Sequence, residues 1–103
     1  MLTEALCWQT DADLEITILS PELRTLAGIR DATFHRIHLS DVWEHGGPYG
    51  PTVREHRRAL AGHATSLRAH KAGKEYRLDL LPLHDTDGSV VGVIGRATEL
   101  NQH

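Results

Sequence analysis

Residues 82–95 read Pro82-Leu83-His84-Asp85-Thr86-Asp87-Gly88-Ser89-Val90-Val91-Gly92-Val93-Ile94-Gly95. Asp85 to Gly88 is turn chemistry and contains an Asp-Gly pair of the kind that closes hairpins. The run before it, Glu75 to Leu83, and the run after it, Ser89 to Thr98, read as strands. A connection this short makes them antiparallel. The second run is apolar on both parities, with Val91, Val93 and Ala97 on one and Val90 and Ile94 on the other. That pattern is expected of a central strand covered on both faces. Helices from so short a chain can cover one face. The other face is expected to pack against a partner subunit or a flanking helix.

Upstream, Ala72-Gly73-Lys74 is a turn and Ala64 to His70 a strand, which completes a three-strand meander. Before it, Thr52 and Glu55 have capping-box spacing for a helix that runs to about Ala61, with Gly62 beyond its end. Val53, His56 and Leu60 share one face of that helix. Gly46-Gly47-Pro48-Tyr49-Gly50-Pro51 reads as a loop, and Asp31 to Val42 as short helical pieces. Ser20-Pro21-Glu22 offers a cap, a first-turn proline and an acid, and Gly28 is a suitable stop. Ala5 to Thr10 and the alternating Leu14, Ile16 and Ile18 read as two strands around Asp11-Ala12-Asp13, a hairpin. The order is β-β, short helices, β-β-β, an α+β fold.

A chain of 103 residues suits one domain spanning its whole length. Its net charge of −3 argues against a nucleic-acid binder. Aromatic residues make up 5%, too few for a base-stacking platform. The apolar runs are too short to span a membrane. Met1 to Glu4 shows no basic region ahead of an apolar run, so no leader is expected. The single cysteine, Cys7, cannot form an internal disulfide. These features together point to the cytoplasm. Charging all eight histidines would move the net charge from −3 to +5, but solvated histidines at the surface account for most of them.

Several local patterns together resemble a PAS domain, the sensor module of bacterial histidine kinases and cyclases. Cys7-Trp8-Gln9-Thr10-Asp11 followed by Asp13-Leu14-Glu15-Ile16-Thr17 is similar to that family's opening hairpin. Leu26-Ala27-Gly28 resembles the end of its first helix. His56-Arg57-Arg58-Ala59-Leu60-Ala61-Gly62 resembles the end of its long helix. Pro82 to Gly95 resembles its last hairpin. The likeness covers about Leu6 to Asn101. It implies a five-stranded antiparallel sheet in the order 2-1-5-4-3, with short helices on one face. Glu99-Leu100-Asn101 departs from the family's usual "D-I-T" exit, which relays the signal to the next domain.

The resemblance also frames the chemistry. Photosensing flavin members carry a reactive cysteine on a helix, in a motif this sequence lacks. Cys7 lies on the first strand and reads as a small buried hydrophobe. Haem-binding members place a proximal histidine on the long helix, which makes His56 a candidate haem ligand. The bland alternative is a buried histidine bonded to backbone. His35, His38 and Asp41 stand three apart, as metal ligands on a helix can, with His45 nearby. The bland alternative, exposed polar residues on short helices, is the stronger reading. No nucleophile motif or Walker loop is present, and the acids of the turns serve backbone hydrogen bonds. Any catalysis is expected in another domain. Arg54, Arg57 and Arg58 form a small basic patch that Glu55 interrupts.

The resemblance places a ligand pocket between sheet and helices. Alternation nominates Ile37, Leu39, Trp43, His56, Leu60, Leu67, Tyr76, Leu78, Leu80 and Ile94 to line it. Arg77 and Asp79 set the parity of their strand by facing out. The expected function is a sensory or regulatory domain that takes a small ligand, forms a homodimer or contacts a neighbouring signalling domain. A ligand-free dimerisation module is the competing reading, and a haem sensor using His56 the third. Val90, Ile94, Glu99 and Leu100 are the expected output surface.

Overall fold

The final hairpin closes as its sequence requires. The Asp85 carboxylate accepts from the N–H of Asp87 at 3.0 Å and of Ser89 at 3.2 Å, and Gly88 takes a φ of +90°. The structure is a computed structural model that describes residues 6–29, 37–43 and 50–100. Its strands are β1 (Leu6–Asp11), β2 (Ile16–Leu19), β3 (Thr65–Lys71), β4 (Lys74–His84) and β5 (Val90–Glu99). Its helices are α1 (Pro21–Ala27), α2 (Leu39–Val42) and α3 (Pro51–Leu60). All strand pairs are antiparallel, and the sheet order is β2-β1-β5-β4-β3. That is the order the resemblance implied, with β5 central.

The helices pack on one face of the sheet. Leu23, Leu39, Val42, Val53 and Ala59 from the helical side meet Trp8, Leu78, Leu80 and Val93 from the strands, all buried. Tyr76, Leu78 and Leu80 face the helices, while Arg77 is exposed and Asp79 half-buried, as the charge pattern of β4 predicts. α1 begins and ends on its signals. Ser20 Oγ accepts from the Leu23 N–H at 3.3 Å. Gly28, at φ +77°, lets the Ile29 N–H reach back to the Arg24 carbonyl.

Three expectations change. First, α3 starts earlier than the capping box implied. Gly50 is its N-cap and Pro51 takes the first turn, where a missing N–H costs nothing. Thr52 therefore lies inside the helix, and Glu55 accepts from the Thr65 hydroxyl at 2.7 Å instead. Second, β2 does not alternate from Leu14 to Ile18. A bulge sets Thr10 opposite Ile16 but Gln9 opposite Ile18. Ile16 packs on the core, whereas Ile18 turns to the outer face. Leu14 sits in the turn at φ +62°, buried, with its carbonyl accepting from the Leu39 N–H. Third, Ile37 and His38 are extended beside Glu15 and Ile16, through an isolated bridge between Glu15 and His38 and the Ile16 N–H to Ile37 carbonyl bond of 2.7 Å. Only Leu39–Val42 of the expected helical region is helix among the described residues. The pieces expected over 31–36 and the loop over 46–49 lie outside the described residues. So do His35, His45 and Asn101.

Candidate functional site

The space between α3 and the sheet is organised by one buried polar pair. α3 turns His56 inward on the face it shares with Val53, and the side chain is fully buried. β1 turns Trp8 to the same face. The Trp8 indole Nε1–H donates to His56 Nε2 at 3.0 Å. His56 Nδ1 then donates to the Thr52 carbonyl at 2.8 Å, one turn back on α3. An indole can only donate, so His56 is the neutral tautomer carrying its proton on Nδ1. Burial lowers the His56 pKa from 6.5 to about 4, against the opposing pull of the Thr52 carbonyl.

A series of rings continues from this pair. Trp8 stacks at a tilt on Trp43 with centroids 5.5 Å apart, and Trp43 meets the edge of Tyr76 at 5.8 Å. The indole of Trp8 has room because β5 presents glycine opposite it. A Cβ on Gly95 would lie 2.1 Å from the Trp8 ring. Among the described residues, Trp43 Nε1 and Thr52 Oγ1 are buried in this region without a hydrogen-bond partner.

Of the nominated pocket residues, Leu39, Trp43, His56, Tyr76, Leu78 and Leu80 are buried together between helices and sheet. Ile37, Leu60 and Leu67 are partly buried and packed around them. Ile94 is not among them. It pairs with Gln9 and Leu81 and shares their parity on the opposite face. Val93 and Ala97 take the inner face of β5 and leave Ile94 to the outer one.

That outer face carries a row across four strands that is apolar except at Gln9. Ile18, Gln9, Ile94 and Leu81 are successive cross-strand neighbours. Ile18 is 52% and Leu81 51% exposed. The next row holds Cys7, Arg96 and Asp79. Cys7 is thus half-buried on the outer face rather than a core residue. Of the other expected output residues, Val90 is half-buried where β5 begins. Glu99 lies 3.8 Å from the Lys74 ammonium, and the Leu100 N–H donates to the Glu75 carbonyl.

The cofactor and metal candidates meet this geometry differently from their sequence pattern. Haem ligation by His56 does not fit. Its Nε2 lone pair already accepts from Trp8, its Nδ1–H is spent on Thr52, and the indoles of Trp8 and Trp43 fill the space alongside. His38 and Asp41 cap α2 reciprocally. His38 Nδ1 accepts from the Ser40 N–H at 3.1 Å, and the Asp41 carboxylate accepts from the His38 N–H at 2.9 Å. Their spacing reflects a helix cap. Among the described residues no three His, Cys, Asp or Glu side chains gather as a metal site, and no helix is long and apolar enough to cross a membrane.

Sequence reasoning singled out His56 but missed its partner. A signal existed, since a buried tryptophan N–H normally finds an acceptor. Two inward-facing polar groups, on β1 and on α3, are natural candidates for one another.

Comparison with known proteins agrees with the topology. Solved structures share the fold at low identity. A sensory box sensor histidine kinase from Vibrio cholerae superposes with a TM-score of 0.72 at 12% identity, over 95% of this chain and 80% of that one. The N-terminal domain of a diguanylate cyclase with a PAS/PAC sensor from Marinobacter aquaeolei gives 0.63 at 17% identity, over 93% and 94%. The blue-light photoreceptor Aureochrome1 LOV, in its light state, gives 0.66 at 21%, over 94% and 82%. No curated protein sequence matches the chain. The family model described as the PAS fold matches residues 3–103. With that match over nearly its whole length, the chain belongs to the PAS fold family.

Proposed function

We propose that the chain is a single sensory and regulatory PAS domain of a cytoplasmic signalling protein, of the histidine kinase or diguanylate cyclase kind, and that it relays its signal through the outer face of the sheet. It is regulatory, and catalysis belongs to other domains. The observation that carries this reading is the row Ile18, Ile94 and Leu81 on the outer face, with Ile18 and Leu81 about half exposed and Ile94 half-buried between them. A second copy of the chain suits this surface. Arg96 and Asp79 are cross-strand neighbours of opposite charge beside the row. A two-fold contact presents the same patch twice, so each charge can meet its opposite. The relay is a shift between packings of the helices on the sheet, passed along β5 to whatever follows Glu99.

A second reading, a small ligand held between sheet and helices, is favoured by Trp43 Nε1 and Thr52 Oγ1. Among the described residues neither buried group has a partner, an arrangement that costs stability and that a polar ligand would relieve. Native mass spectrometry of the purified chain separates the two. An empty dimer supports relay by contact, and a retained small molecule supports sensing in the interior. A monomer without ligand contradicts both.

A further inference from the structure

A cleft of about 270 Å³ opens beside α1, on the helix side of the sheet at its edge where β5 ends. Leu6, Leu26 and Ala97 form its apolar wall. Glu22, Tyr76, Lys74 and Glu99 supply its polar groups. Tyr76 is only 3% exposed, yet it lines the cleft, and among the described residues no hydrogen bond engages its hydroxyl. Glu22 is half-buried in the first turn of α1, and among the described residues its carboxylate has no ion-pair partner. Glu99 pairs with Lys74 at 3.8 Å, and both side chains are about half exposed. Such a pair is worth little and leaves the cleft with one carboxylate in excess.

We propose that this cleft binds a small primary amine with a short apolar body, its ammonium held between the Glu22 carboxylate and the Tyr76 hydroxyl oxygen. An ammonium has three donors and no acceptor, which matches an unpaired carboxylate and an unpartnered phenol oxygen. The apolar wall takes the alkyl part. The volume lies just below the usual range for small-molecule sites, about 300–1,000 Å³, which limits the ligand to a compact one. Burial raises the Tyr76 pKa and the Glu99 carboxylate adds to it, so the phenol stays neutral and its oxygen keeps lone pairs for an ammonium. Occupancy would touch Tyr76 on β4 and Glu99 at the end of β5.

The test is a titration of the purified chain with n-butylamine at constant ionic strength, followed by amide NMR shifts and by tryptophan fluorescence. Trp43 lies against Tyr76, so its emission reports on the cleft. Saturable binding at or below about 10 mM is expected, with shifts centred on Glu22, Tyr76 and Glu99. Butyrate and n-butanol should not saturate. Glu22→Gln should weaken binding about tenfold or more, the loss expected of one charge-assisted hydrogen bond. Tyr76→Phe, which keeps the ring against Trp43, should weaken it severalfold with an unchanged melting temperature. No saturation by the amine, equal binding of butanol, tighter binding of butyrate, or an unaltered affinity in folded Glu22→Gln would overturn the proposal. None of these results bears on the dimer contact, which is on the other face.

Discussion

The indole of Trp8 and the imidazole of His56 meet across 3.0 Å in the core, 48 residues apart in sequence, and each satisfies the other. The pair ties β1 to α3 and occupies the place where a ligand-binding histidine was a candidate. Removing either partner strands the other. Trp8→Phe leaves His56 Nε2 unsatisfied and opens a gap, a cost of about 2–4 kcal/mol. His56→Leu leaves the indole N–H unsatisfied. A double-mutant cycle by urea unfolding should give a coupling of about 1–2 kcal/mol. A coupling near zero would mean that the hydrogen bond contributes nothing beyond packing.

The same pair sets a pH dependence. His56 has a folded pKa of about 4 against 6.5 for the free side chain. Above pH 6.5 it is neutral in both states, and its stabilising contribution is complete. As the pH falls from 6.5 to 4 the unfolded chain takes up a proton that the folded chain refuses, so stability declines. Below 4 both states are protonated and the decline stops. Each pH unit is worth up to about 1.4 kcal/mol, so the total is on the order of 3 kcal/mol. Urea midpoints at pH 7 and pH 4.5 should show this loss in the wild type and not in His56→Gln.

Trp43 offers the contrasting case. Its indole N–H is buried without a partner, so Trp43→Phe removes an unsatisfied donor along with some packing. The two effects oppose, and the net change should stay within about 1 kcal/mol, well below that of Trp8→Phe. A larger loss would indicate that a bound group satisfies this N–H in solution, as the interior-ligand reading requires.

Gly95 is glycine because of Trp8. A methyl group there would overlap the indole ring, and the shift needed to accommodate it should cost about 1–3 kcal/mol. The cost should shrink in a Trp8→Phe background, because the phenyl ring lacks much of what the methyl would strike. Thermal melts of the two single variants and the double variant measure this. Additive losses would place the strain elsewhere.

Much of this fold was legible because its signals are local. The Asp-Gly turn, the Ser20-Pro21 cap and the Gly28 stop each act within a few residues, and the charges of Arg77 and Asp79 orient all of β4. The errors arose where one inserted residue changes a parity. The bulge opposite Gln9 and Thr10 turned Ile18 outward, against an alternation that placed it with Leu14 and Ile16. The capping box failed because Pro51 started α3 ahead of Thr52. Within the candidate site, His56 was visible by its helical spacing. That Trp8 needs an acceptor was legible too, but which acceptor it meets depends on how α3 settles on the sheet. His38 and Asp41 show the reverse problem. A spacing that suits a metal also suits a cap, and the carboxylate was spent on a backbone N–H.

The central claim is that the outer face of the sheet is the contact surface, and it is tested most directly by sedimentation velocity of the wild type beside Ile94→Glu. Val91→Glu serves as the control, because Val91 is already exposed and stands outside the row of Ile18, Ile94 and Leu81. At about 100 μM the wild type and the control should sediment as dimers, while Ile94→Glu should be a folded monomer, because each copy would set a carboxylate in the contact. A wild type that is monomeric at that concentration, or an Ile94→Glu variant that remains dimeric, would contradict the account.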